Sequence, residues 1–192
     1  MKNIQLLLLL IMLPAGVMAT QEKYNSISQK RKRIYLNKEY TELELKREAF
    51  SIPFSNRRYT DDAHYATRIA VFTDKELLDK VTTGMNINEV PYFAPYTGIA
   101  ADSFGYSSIF MNNEGHHYLY YKEEQDKRAN LVSESNGVLE LEWSPHSFYL
   151  DEQDKDFATA GIDRFYIVIF SDRDLDNTVG FGELQKIAVT FK

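Results

Sequence analysis

Apolar and polar residues alternate with a period of two along several segments of the chain, which is the pattern of β-strands with one buried face. In TELEL, Leu43 and Leu45 fall on one face and two glutamates fall on the other. The run GVLELEW repeats the pattern, with Leu139, Leu141 and Trp143 on the inner face. The periodicity therefore predicts a strand in each segment.

Further strands are predicted where apolar runs lie between turn residues. FSIPF has the same alternation, but its proline restricts it to an edge or a bend. ATRIAVF is a continuous apolar run, as in a strand covered on both faces, and SFYL, FYIVIF and KIAVTFK are further candidates. Two aromatic runs flank Asn112–Gly115, which predicts a β-hairpin. The pattern as a whole predicts an all-β fold, an antiparallel β-sandwich of about 7–8 strands.

One segment departs from the period of two. Thr73 and Glu76 have the spacing of a capping box, three apolar residues follow at helical spacing, and Gly84 can end the turn. The sequence therefore predicts one short helix near residues 74–83.

The N-terminus has the pattern of a secretory signal peptide. Residues 1–19 contain an early lysine, a short apolar core and small residues near Ala19. We therefore expect cleavage near Ala19 and export to a periplasmic or extracellular location. The chain has no cysteine, so it is expected to be exported without disulfides. Residues 20–33 are polar and predict a flexible basic arm, and residues 34–192 are then the β-sandwich domain.

Charge is divided unevenly between the two parts of the mature chain. Residues 20–58 carry ten basic and five acidic side chains, whereas residues 59–192 carry eleven basic and 23 acidic ones. The basic KRKR segment, Lys30–Arg33, is open to two interpretations, a contact with an anionic surface or a solvated arm. The acidic body argues against nucleic acid as a partner and suits cations or a basic protein surface. No segment after residue 19 is apolar for long enough to span a membrane.

The segment SDRDLDNTVGFGE contains the clearest candidate chemistry. Three aspartates stand at alternate positions and a glutamate follows, with the oxygen-rich composition that calcium prefers. From Asp172, the spacing resembles the twelve-residue calcium loop of EF-hand proteins, although the flanking segments predict strands rather than helices. The resemblance implies calcium ligands from six residues: Asp172, Asp174, Asp176, Thr178, Gly180 and Glu183. The alternative is a polar connection between two strands that binds no ion.

A second resemblance fits the flanking strands. The order IVIF, an Asp-x-Asp pair, a further aspartate and Val-Gly is similar to that in calcium-dependent phospholipid-binding β-sandwich domains of the synaptotagmin type. In that family a second loop supplies further carboxylates. The resemblance implies that DEQDKD could contribute Asp151, Asp154 and Asp156 as additional ligands.

Other candidate sites are weaker. No serine-hydrolase elbow motif occurs, and the adjacent histidines 116 and 117 would point to opposite faces of a strand. Tyr92, Phe93 and Tyr96 could form a stacking platform for a glycan or peptide, or could cover a core edge. We therefore expect a non-enzymatic binding module of the cell envelope, stabilised by Ca²⁺ and acting on a protein partner or envelope component. The alternatives are a metal-free structural subunit or small immunity-like inhibitor and, less favoured, a carbohydrate-binding accessory domain.

Overall fold

The computed structural model describes residues 26–36, 38–57, 66–87, 89–90, 129–150 and 153–192, and the backbone of residues 110–111. These residues form short strands and a single 3-10 helix, Lys75–Lys80. The strands are β1 (Ser26–Gln29), β2 (Lys32–Tyr35), β3 (Tyr40–Leu45), β4 (Ile52–Arg57), β5 (Thr67–Phe72), β6 (Phe110–Met111), β7 (Ala129–Ser135), β8 (Val138–Trp143), β9 (Ser147–Leu150), β10 (Gln153–Asp156), β11 (Arg164–Ser171) and β12 (Leu184–Phe191).

The strands are arranged in several sheets, which confirms the predicted all-β sandwich class. The largest sheet has the order β3-β12-β11-β5, and a second has the order β4-β8-β7. A small sheet has the order β10-β9-β6, and β1 pairs with β2 as a hairpin. Pairing is antiparallel except between β12 and β3, which run parallel. In the described part of the chain, no helix has the length and apolarity needed to cross a bilayer.

The central sheet is buried on both faces because β11 and the neighbouring β5 are apolar and buried along most of their length. On one face, Ile69 and Ile167 join a core rich in phenylalanine that the second sheet covers. On the other face, Ala70 and Phe170 pack with the 3-10 helix and the segment that follows it. The continuous apolar runs of β5 and β11 thus have the two-sided burial that their sequences predict.

The alternating segments bury the expected residues. Leu43 and Leu45 of β3 are buried between exposed glutamates. In β8, Leu139, Leu141 and Trp143 face the core. β4, which contains the proline, pairs only with β8 within its sheet and is therefore an edge strand, as predicted.

The helix is present, but its details differ from the prediction. It is a six-residue 3-10 helix, and its N-cap is Asp74 rather than Thr73. The Asp74 carboxylate accepts a hydrogen bond of 2.9 Å from the backbone N–H of Glu76. Leu77 and Leu78 bury the inner side against the central sheet, so burial of these two residues holds the short helix in place.

The segment expected to be a flexible arm contains the β1-β2 hairpin from Ser26 onward, a regular structure that the sequence pattern did not predict. Ile27 is fully buried, and Ser28 exchanges backbone hydrogen bonds of 2.8 Å with Ser51. The Gln29 side chain donates to the carbonyls of Lys46 and Glu48. These contacts attach the hairpin to the sandwich. Because the segment is polar, its sequence did not indicate them. Residues 1–25, including the predicted signal peptide, and the predicted hairpin at residues 112–115 lie outside the described residues.

Candidate metal centre

The aspartate loop, residues 172–183, connects the two central strands β11 and β12. Its ends are fixed by the backbone, since the Ser171 N–H donates to the Glu183 carbonyl over 3.0 Å. The Asp172 N–H donates to the Ala66 carbonyl over 3.1 Å, just before β5 begins. The loop therefore starts at a defined position at the end of the central strand β11.

Asp172 organises the first turn of the loop. Its side chain is fully buried, and its two carboxylate oxygens accept from the N–H groups of Asp176 at 3.1 Å and Asn177 at 2.9 Å. This turn requires left-handed backbone at Leu175 and Asn177, with φ of 62° and 64°. Asn tolerates that conformation, as the sequence suggested, whereas for leucine it costs about 1–2 kcal/mol.

The turn brings three carboxylates together. Asp172, Asp174 and Asp176 each offer one oxygen, and these oxygens all lie within 4.8 Å of one another. Two oxygens that bind one calcium ion at about 2.3–2.6 Å can be separated by no more than about 5 Å. The three aspartates that alternate in the sequence therefore fit a common ion, with Asp172 buried and the other two exposed.

Glu183 has a different position from that of the last ligand of an EF-hand loop. It lies outside the group of three aspartates. One of its oxygens accepts from the Arg173 N–H at 2.6 Å, and the other accepts from the Gly180 N–H at 2.7 Å. The glutamate thus closes the loop through its backbone. The Thr178 N–H similarly donates to the Asp176 carboxylate over 2.7 Å. At Thr178 and Gly180, two of the predicted ligands, the contacts in the structure are therefore made by backbone N–H donors.

The remaining predicted ligands do not join this group. Asp154 and Asp156 lie on β10, paired with Tyr149 and Ser147 of β9, and the structure does not gather them with the loop aspartates. Asp151 lies outside the described residues. So does the predicted stacking platform of Tyr92, Phe93 and Tyr96.

The segment after the 3-10 helix supports the loop, a contact that the sequence did not suggest. The Val179 N–H donates to the Met85 carbonyl, and the Gly84 N–H donates to the Val179 carbonyl, both over 2.8 Å. The Ile87 N–H donates to the Asn177 carbonyl over 3.0 Å. Val179 is fully buried. An apolar residue at this position of a polar loop is the feature of the sequence that could have indicated the contact.

A polar seam beside the loop connects the two larger sheets. The Thr67 hydroxyl donates to the Ser55 carbonyl of β4 at 2.8 Å and shares a hydrogen bond of 2.7 Å with the Ser171 hydroxyl. The Asn56 side chain accepts from the Thr67 N–H at 2.9 Å. A cavity of about 20 Å³, close to the volume needed for one water, lies against this seam. The seam fixes the position of β11 where the aspartate loop begins.

Taken together, these contacts describe a loop that is held by its own backbone amides and that presents three acidic side chains at one point. Oxygen donors of this kind suit a hard cation. The donor set contains no sulfur or imidazole, so it gives no preference for a softer transition metal. Comparisons of this chain with protein-family models, with curated proteins and with solved structures gave no match.

Proposed function

We propose that the protein is an exported, non-enzymatic binding module in which Ca²⁺ bound by the aspartate loop stabilises the connection between the last two strands. The observation that carries the proposal is the convergence of Asp172, Asp174 and Asp176, with one oxygen from each within 4.8 Å of the others. Three carboxylates at this separation repel one another, and a divalent cation among them replaces that repulsion with attraction.

The ligand set supports weak rather than tight binding. Calcium takes six to eight oxygens, and three carboxylates supply at most six of them. Both oxygens of Asp172 already accept backbone N–H groups, which leaves each with reduced capacity for an ion. We therefore propose a dissociation constant of about 10⁻⁴–10⁻³ M, the range of extracellular calcium modules.

The position of the site suggests what the ion would do. The loop joins β11 to β12, and both strands lie in the middle of the central sheet. A cation there would stabilise the turn that follows β11, at the start of the connection to β12, without changing the fold. Its proposed role is therefore to stabilise the fold.

Thermal unfolding tests the proposal. For these affinities, about 10 mM calcium stabilises the native state by about 1.4–2.7 kcal/mol, which corresponds to a rise in Tm of about 3–10 °C in a protein of this size. The control is magnesium at the same concentration. Asp174→Asn combined with Asp176→Asn should abolish the rise, whereas Asp154→Asn, which changes an exposed carboxylate on β10, should leave it intact. A midpoint that calcium does not move, or one that moves equally in the double variant, contradicts the proposal.

A metal-free structural subunit or small inhibitor is the second candidate. It is supported by the hydrogen bonds from backbone amides to both oxygens of Asp172 and both oxygens of Glu183. These bonds can hold the loop without an ion. The same unfolding experiment separates the two candidates, because this one predicts identical midpoints in calcium and in chelator. Export has its own test, since mass spectrometry of the secreted protein should find a mature chain that begins near Thr20.

A further inference from the structure

The surface formed by the β1-β2 hairpin and the end of the central sheet contains a basic groove of about 730 Å³. Ile34 and Leu45 give the groove its apolar lining, and Glu44 is the acidic residue of the lining. The cationic lining residues are Lys30, Arg31, Lys32, Lys46 and Lys192. The groove therefore combines an apolar strip with a strong excess of positive charge.

Part of this charge is already compensated within the chain. Lys30 pairs with Glu48 at 2.8 Å, and Lys192 pairs with Glu44 at 2.5 Å. Arg31, Lys32 and Lys46 form no ion pair with any residue that the structure describes. These three cations are available to an acidic partner.

A complementary surface lies on the aspartate loop. Phe181 is 97% exposed, whereas nearby Val179 and Leu184 are buried. It stands between Gly180 and Gly182, and the same loop exposes the carboxylates of two aspartates. An aromatic side chain held out in this way leaves its whole surface to water, and burying it in an apolar site on another molecule is favourable.

The two surfaces lie at opposite ends of the same strand. The aspartate loop ends at Glu183, just before β12, and Lys192 of the groove follows β12 directly. Nine residues of extended chain span about 30 Å. β3 runs parallel to β12 and places Leu45 opposite Phe191, at the groove end. The loop therefore cannot reach the groove of its own chain, but it can reach the groove of a second copy.

We propose that copies of this chain associate head to tail, with Phe181 of one copy packed against the partly buried Ile34 in the basic groove of the next. The exposed aspartates of the loop would then face Arg31, Lys32 and Lys46. The occupant of the groove is a second copy because the chain itself carries the matching aromatic residue and the matching charge. Such a contact joins two different surfaces, so it builds a ring or an open chain rather than a closed dimer.

This association goes beyond the calcium proposal and does not require a bound ion, so its test is made in chelator. Sedimentation velocity from about 1 to 500 μM protein, a range that includes weak protein interfaces, should give a mass that rises with concentration beyond that of a dimer. Added salt should weaken the association because the contact is partly electrostatic. A monomer throughout this range at low salt overturns the proposal, and the groove would then have to bind a partner of another kind.

Single variants on each surface identify the contact. Phe181→Ala and Lys32→Glu should each lower the association constant at least tenfold, because each removes one side of the same interface. The matched controls are Val132→Ala, an apolar residue of β7 that is 62% exposed, and Lys75→Glu on the 3-10 helix. Neither control should change the association. Unaltered melting curves will establish that all four variants fold, and equal association of Phe181→Ala and the wild type overturns the assignment of that residue.

Mixing the two defective variants gives the decisive result. The Phe181→Ala chain retains an intact groove, and the Lys32→Glu chain retains an intact loop. A head-to-tail interface predicts that an equimolar mixture forms a 1:1 heterodimer that grows no further, because each pair contains one intact contact. A mixture that stays monomeric, or that assembles beyond two chains, contradicts the proposed geometry.

Discussion

Replacing Gly180 by alanine should disrupt the closure of the aspartate loop. A Cβ at this position would lie 2.6 Å from one carboxylate oxygen of Glu183 and 3.1 Å from its carboxyl carbon. The glutamate cannot stay where it is, and its two oxygens are those that accept from the N–H groups of Arg173 and Gly180. The added methyl group should therefore shift the carboxylate and weaken its hydrogen bonds to both donors.

The expected loss follows from these two hydrogen bonds. Hydrogen bonds to charged groups contribute about 1.5–3 kcal/mol each. The Glu183 carboxylate is the far end of a flexible side chain, so by moving it regains part of that contribution. Replacing glycine by alanine also restricts the unfolded chain, which offsets about 0.4–1 kcal/mol of the loss. For Gly180→Ala we expect a net reduction of about 2–4 kcal/mol in the free energy of unfolding.

Urea unfolding in chelator measures this loss. The single tryptophan, Trp143, is buried and reports unfolding by fluorescence. With a urea dependence of about 2 kcal/mol per molar, the middle of the usual range, the midpoint should fall by about 1–2 M. Gly182→Ala is the matched control, because its Cβ would meet nothing within 4 Å and its φ of 81° adds only the cost of left-handed backbone, about 1–2 kcal/mol.

A double-mutant cycle with Glu183→Ala isolates the clash. Without the glutamate side chain, the methyl group of Gly180→Ala has nothing to displace, so most of its cost should disappear and the coupling should exceed about 1.5 kcal/mol. The cost of Gly182→Ala should persist in the same background, since it arises in the backbone. A Gly180→Ala loss below about 0.5 kcal/mol, or one that is equal with and without Glu183, would refute the reasoning.

Three further predictions concern the rest of the fold. Thr67→Val removes the hydroxyl that joins the two sheets and leaves the Ser55 carbonyl without its donor, so it should cost about 1–3 kcal/mol in urea unfolding, and a neutral result contradicts the role of the seam. Trp143→Phe removes a buried N–H that has no hydrogen-bond partner among the described residues, so it should cost under about 1.5 kcal/mol against about 3–5 kcal/mol for Trp143→Ala. Because both variants lack the fluorescent residue, their urea unfolding is followed by circular dichroism, and equal losses argue against this reasoning. The hydrogen bond from Lys30 lowers the pKa of Glu48, so this ion pair stabilises at neutral pH and is lost as pH falls through that lowered pKa. Lys30→Met should therefore raise the Glu48 pKa in an NMR titration, and an unchanged value would exclude the contact.

Strands with one buried face were predictable because apolar residues stand on the buried face and polar residues stand on the other. In β3 and β8, leucines alternate with glutamates, so the pattern identifies both the strand and its inner face. β2 and β10 bury few side chains and have no such alternation, and their pairing partners fix their conformation. The parallel pairing of β3 with β12 joins residues about 145 positions apart, and no local pattern specifies which distant strand is the neighbour.

The candidate site was predictable in part for a similar reason. Spacing along the chain determines that Asp172, Asp174 and Asp176 lie close together, because a tight turn brings alternate residues to one point. Spacing does not determine the direction of Glu183. Glu183 lies directly before β12. Its carboxylate accepts hydrogen bonds from the backbone N–H groups of Arg173 and Gly180. Backbone N–H groups that are shielded from water need acceptors, and the Glu183 side chain takes the position in which it supplies them.

Calcium titration calorimetry is the direct test of the proposed calcium site. We expect one binding event per chain, with a dissociation constant of about 10⁻⁴–10⁻³ M. This binding should be lost in the Asp174→Asn/Asp176→Asn variant and retained in Asp154→Asn. No heat of binding at millimolar calcium, together with an unchanged melting midpoint, would contradict the claim that the three aspartates form a calcium site.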